Sequence, residues 1–147
     1  MAYLELNNVT KTYGTGENAT KVLDNINLHI EEGEFVAIVG FTGSGKTTLV
    51  NLINGLEKPT SGEVLFKGKP VEDTSHERGV IFQNYSLLPW LTVYQNVEMA
   101  VKEAFPKETK KFIDERIKEY VEMVSLSHAI HKRPKELSGG MRQRVSV

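Results

Sequence analysis

The chain has 147 residues, enough for one ordinary domain with its own core and too few for two. Its 18 Lys and Arg against 19 Asp and Glu leave a net charge of −1, which offers no bulk electrostatic basis for a nucleic-acid partner or an anionic surface. Cysteine is absent, which excludes disulfides, thiolate zinc sites and cysteine nucleophiles and suits a reducing compartment.

In chain order, Met1-Ala2-Tyr3-Leu4-Glu5 lacks the basic start and apolar core of a signal peptide, and no apolar run is long enough to span a bilayer. A cytoplasmic chain is therefore expected. Tyr3 to Val9 alternates loosely and predicts a strand, and Thr15-Gly16-Glu17-Asn18 a turn. Val22 to Ile30 alternates more clearly and predicts a second strand with one buried face. After the turn Glu31-Glu32-Gly33, the β-branched run Glu34-Phe35-Val36-Ala37-Ile38-Val39 predicts a buried parallel strand.

Gly40-Phe41-Thr42-Gly43-Ser44-Gly45-Lys46-Thr47 then matches G-x-x-x-x-G-K-[ST], and Thr47 to Leu56 has helical spacing. A glycine-rich turn could carry a lysine by accident, but strand, loop and helix in this order form the context that phosphate binding requires. The glycines leave room for phosphate oxygens against bare backbone, and successive N–H groups with the helix N-terminus supply positive potential. Lys46 can reach β- and γ-phosphates, and the Thr47 hydroxyl can ligate magnesium.

Pro59-Thr60-Ser61-Gly62 predicts a turn, Glu63 to Phe66 a strand, Lys67-Gly68-Lys69 a hairpin, and Arg78 to Gln83 a short buried strand ending in a polar residue. From there the pattern becomes helical, with a boundary near Tyr85 to Leu91. Thr92 to Lys102 carries Val93, Val97 and Val101 at helical spacing. Lys111 to Val124 places Ile113, Ile117, Tyr120, Val121 and Val124 on one stripe. His29, His76, His128 and His131 lack metal-ligand spacing and predict surface roles. Pro134 ends the helical character, and Leu137-Ser138-Gly139-Gly140-Met141-Arg142-Gln143-Arg144 opens a new helix with Ser138 as N-cap. Alone, that segment is equally an ordinary capped helix.

Together, the phosphate loop and the Leu137-Ser138-Gly139-Gly140 segment resemble the ATP-binding-cassette (ABC) ATPases, whose signature reads LSGG followed by Q-R or R-Q-R. The resemblance covers Tyr3 to Val147. It implies an α/β fold: the P-loop NTPase cassette, with a RecA-like core, an antiparallel β-subdomain and a helical subdomain. The implied division is a β-rich nucleotide-binding part over 1–85, a helical subdomain over 86–140 and the start of the signature helix over 138–147.

It also implies roles. ATP and Mg2+ would be the cofactors, with Gly40, Phe41, Thr42, Gly43, Ser44, Gly45, Lys46, Thr47 and Thr48 around the phosphates. Tyr13, in Lys11-Thr12-Tyr13-Gly14, matches the aromatic that stacks on adenine; its plainer role is an edge-strand tyrosine filling the core. Lys46 and Gln83 match catalytic positions, with Thr47 and Gln83 at the metal. Ser138, Gly139 and Gly140 match residues that close over the γ-phosphate of a second cassette in a head-to-tail dimer. Gln83 to Val97 looks like the segment of importer cassettes for nitrate, sulfonate, taurine and cyanate. There Tyr85 to Leu91, with Leu88-Pro89-Trp90, would receive a transmembrane permease subunit on the inner face of the cell membrane, a peripheral location. Phe41-Thr42 and Thr47-Thr48 lean towards nitrate. No nucleic acid is implied.

The chain departs from the family after Val147, where the Walker B aspartate, the glutamate that polarises water and a later histidine are expected and no counterpart is found. The phosphate-loop strand would then lack neighbours. The 147-residue chain alone is accordingly expected to bind nucleotide weakly, hydrolyse it negligibly and aggregate. A truncated, catalytically inactive cassette serving as a binding or regulatory module is the competing expectation. ABC ATPases of translation or DNA repair and phosphate-loop kinases are further rivals. Leu88-Pro89-Trp90 argues against the former and Leu137-Ser138-Gly139-Gly140 against the latter.

Overall fold

A computed structural model describes residues 2–147. The chain forms two units, one ending at Gly79 and the other covering Val80–Val147.

The first unit contains strands β1 (Leu4–Tyr13) and β2 (Thr20–Ile30), helix α1 (Lys46–Asn54), and strands β3 (Ser61–Phe66) and β4 (Lys69–Pro70). The strands make one antiparallel sheet in the order β2-β1-β3-β4. Alternation puts Leu4 and Leu6 on the buried face of β1. The pairing then jumps from Leu6 opposite Leu28 to Val9 opposite Ile26, so Asn7 and Asn8 face a single β2 residue in a bulge. Asn8 takes φ 51°, and its amide donates to Asn27 Oδ1 at 2.9 Å. The extra residue returns Val9 to the face of Leu4 and Leu6, where Leu23, Val64 and Phe66 join it and Leu49 and Leu52 of α1 close the core.

Gly62 of β3 lies against this bulge at φ +79°, and a Cβ there would sit 2.3 Å from the Asn8 carbonyl oxygen. Lys67 and Gly68, at φ 50° and 73°, turn β3 into β4, the two positive values of a type I′ hairpin.

Two expected strands do not form. Residues 34–39 and 78–83 have no strand pairing, and Phe35, Val39 and Ile81 are 97%, 89% and 60% exposed. The reason is partnership. A parallel strand is stable only with hydrogen-bonded neighbours and two covered faces. All strands formed among the described residues pair antiparallel within the one sheet.

The second unit contains α2 (Val93–Ala104), α3 (Lys110–Met123) and α4 (Gly139–Val145). Thr92 and Gln95 form a capping box at the start of α2, and Thr109 caps α3 by accepting from the Phe112 amide. Val93 and Val101 pack with Ile113, Ile117 and Val121, while Val97 is half-buried and Tyr120, placed on the same stripe by its spacing, sits at its exposed edge. The Tyr94 hydroxyl of α2 donates to Asp114 of α3 at 2.9 Å. Burial first, and then that hydrogen bond, push the Tyr94 phenol from 10.0 up to about 12. A raised folded value means the stabilisation is complete below the unfolded value and is lost as pH rises. Alkaline unfolding of this unit should therefore steepen between about pH 10 and 12 and flatten in Tyr94→Phe, as followed by circular dichroism.

Candidate functional site

The loop from Gly40 to Gly45 delivers the chain to the N-terminus of α1. Gly43 and Gly45 adopt φ 81° and 87°. At Gly45 the requirement is double, because a Cβ would also meet Leu23 Cδ2 at 2.9 Å and the Val22 carbonyl oxygen at 3.0 Å. Gly45 is the N-cap of α1, and no side chain caps the first turn. Those amides therefore present an uncancelled positive potential. Lys46 folds back over the loop, its Nζ donating to the carbonyls of Gly40 at 2.9 Å and Phe41 at 2.7 Å.

Val22 and Gly43 through Thr48 line a concavity of about 190 Å3. That is below the roughly 300–1,000 Å3 of pockets that enclose a whole organic ligand, and suits phosphate groups. Phe41 and Thr42 are exposed, as is Thr47, whose hydroxyl makes no hydrogen bond among the described residues.

Tyr13 ends β1 beside this helix, its hydroxyl 3.5 Å from Thr48 Oγ1, so the structure brings this expected site residue to the loop's own helix. It is not the core tyrosine of the plainer expectation, being 39% exposed. The hydroxyl donates at 2.6 Å to Glu57 Oε2. Asn51 of α1 donates to the other Glu57 oxygen at 2.9 Å, and Lys11 Nζ lies 3.2 Å from Oε2 and 5.0 Å from the Tyr13 ring centre. The hydrogen bond from Tyr13, then that from Asn51, hold the Glu57 carboxyl below its ordinary range. Sequence patterning singled out none of Lys11, Asn51 and Glu57.

Gln83 and Ser138–Gly140 belong to the second unit. Gln83 was expected at a strand end; it lies instead in an exposed stretch outside any helix or strand. Ser138 caps α4, its Oγ accepting from the Met141 amide at 3.2 Å. Gly140 is exposed, and a Cβ there would meet nothing within 4 Å, so packing among the described residues does not demand a glycine. The Arg142 guanidinium lies 5.7 Å from the centre of the Tyr85 ring.

In the expected docking segment Leu87 and Leu88 are half-buried, Pro89 is exposed and Trp90 is 64% exposed. Asn96, buried on α2, holds this segment. Its Oδ1 accepts from the Leu88 amide at 2.8 Å, and its Nδ2 donates to the carbonyls of Leu88 and Leu91 at 3.3 Å and of Thr92 at 2.9 Å. An asparagine within a valine stripe was the available signal.

Residues 23–147 match the family model for the ABC transporter. The chain is 46% identical over 152 residues to the nitrate import ATP-binding protein NrtC of Synechocystis sp., covering 100% of this chain and 22% of that protein. It is 42% identical over 146 residues to the bicarbonate transport ATP-binding protein CmpD of the same organism, covering 99% of this chain and 52% of that one. The nitrate import ATP-binding protein NrtD of Synechococcus elongatus is 41% identical over 145 residues, with 99% of this chain and 53% of that protein covered. The chain thus spans about half the length of the latter two. Among solved structures, it is similar to the ATP-binding cassette MJ0796 in a dimeric post-hydrolysis state bound to ADP and Pi. The TM-score is 0.85 and the identity 38%, over 97% of this chain and 66% of that one.

Proposed function

This chain belongs to the ABC transporter family, and on that premise we propose that it contributes the ATP-binding cassette of an importer that couples ATP hydrolysis to uptake of a small anion, nitrate or bicarbonate foremost. The observation that carries the reading is the uncapped start of α1 behind Gly45, with the Lys46 ammonium laid across the loop. Backbone amides and one point charge are what a phosphate chain needs for binding and for offsetting transition-state charge.

Among the described residues no cluster of three or more acidic or histidine side chains is arranged for a metal. The exposed Thr47 hydroxyl, beside the phosphate concavity, suits magnesium brought by nucleotide phosphates, and Gln83 is the other residue read as its ligand. Magnesium held there would offset negative charge on the phosphates. Lys46 adds its own charge there, and Gln83 orients the attacking water.

The catalytic unit is a head-to-tail dimer in which Ser138, Gly139 and Gly140 close over the partner's γ-phosphate. The dimeric neighbour supports this reading, as does a glycine at 140 that its surroundings do not require. Tyr85 to Leu91 receives the permease at the inner membrane face. No helix among the described residues is long and apolar enough to cross a membrane. Phosphate release by the full-length protein with its permease in vesicles is the test. Magnesium-dependent turnover stimulated by the anion is expected, and absence of any nucleotide binding would sink the reading.

A further inference from the structure

We propose that Glu57 is a positioning residue that fixes the Tyr13 ring as the platform for the nucleotide base; this rests on the nucleotide-binding reading above. The concavity at the loop has the size for phosphates, so a base attached to them must lie outside it, on the adjoining surface. Tyr13 is the aromatic residue that contacts the loop's helix there, through Thr48.

At the end of a strand and 39% exposed, its ring has rotamer freedom to lose when a base stacks on it. Glu57 removes that freedom in advance. Its carboxylate accepts the hydrogen bond from the phenol at 2.6 Å and is itself held from two elements, by Asn51 on α1 and Lys11 on β1. Lys11 is anchored in turn by the Lys58 carbonyl at 2.7 Å. With the Lys11 ammonium 5.0 Å from the ring centre, the cation and the base divide the ring between them. The hydroxyl, committed to Glu57, leaves the ring's π-surface as what a base would meet. Recognition is then by stacking, to which aromatic platforms commonly contribute.

The test compares ATP with inorganic tripolyphosphate, which has the charge and lacks the base, on the full-length protein by calorimetry. Glu57→Gln keeps the size and can still accept from Asn51. It is expected to weaken ATP binding about five-fold while leaving tripolyphosphate binding unchanged. Tyr13→Phe should do the same, and the double variant should be no worse than either single one, since both remove one interaction. Unchanged ATP affinity in Glu57→Gln overturns the proposal, as does an equal loss for both ligands, which would mark a structural role. A wild-type protein that binds the two ligands equally also overturns it and leaves the phosphate-loop reading standing. Binding of neither ligand overturns both.

Discussion

Lys46→Ala in the full-length protein is expected to lower the rate of phosphate release from ATP by at least about a hundred-fold, while the folded state is retained. In phosphoryl transfer the protein mainly positions charge, and Lys46 is the cationic side chain the structure lays over the loop. Its folded-state contacts are two loop carbonyls and the Ser44 hydroxyl at 3.4 Å, so its removal opens no cavity in the core formed by Leu6, Val9 and Leu52. Backbone amides at the start of α1 persist, so weak binding should survive where turnover does not. Lys46→Arg should fail as well, because a planar fork does not replace a compact ammonium in a loop of this size. Turnover together with the thermal midpoint decides the matter. A midpoint near wild type with lost turnover is the expected pair, and near-normal turnover would remove Lys46 from the chemistry.

A large loss of stability is expected from Gly62→Ala, at about 3 kcal/mol. A side chain at φ +79° is strained by itself, and this one would also place a Cβ 2.3 Å from the Asn8 carbonyl oxygen and 2.5 Å from that of Asn7. Those atoms belong to the bulge that returns Val9 to the buried face. Relief of the overlap therefore means moving β1 against β3, the pairing on which the first unit's core is built. Gly68→Ala is the control. Its φ is +73° and nothing lies within 4 Å, so only the backbone term, about 1 kcal/mol, applies. Urea denaturation of the two variants should differ by roughly 2 kcal/mol. Equal midpoints would show that the bulge yields freely.

How far the sequence could be read follows from the range of each interaction. The start of α2 carries its capping box within four residues, and the ends of the β3–β4 hairpin are set by the Lys67-Gly68 pair, so such elements are written locally. The phosphate loop belongs with them, since its glycines and Lys46 act on neighbours a few positions away. The runs at 34–39 and 78–83 show the opposite case. Their β-branched residues express a preference, but a strand exists only when another strand accepts its hydrogen bonds, and no local pattern reports that.

Glu57 was invisible for the same reason. Its partners Tyr13 and Lys11 are distant in sequence, and meet it only because the end of β1 lies against the turn that follows α1. Gly62 was legible as a turn residue, yet the carbonyls that make it indispensable come from the bulge in β1. Asn96 stands between these cases, as a polar residue on an otherwise apolar stripe whose purpose emerges only from the folded Leu88–Leu91 turn.

That turn also gives the molecule an optical handle. Trp90 is the chain's single tryptophan and stands 64% in solvent on a segment tied down by Asn96. Its fluorescence is thus a spectrum of one place, red-emitting and open to collisional quenchers while the surface is bare. A body that settles on Pro89 and Trp90 would shift the emission to the blue and shield it from iodide, without any label being attached. Occupancy of this surface can therefore be followed within these 147 residues by an intrinsic signal.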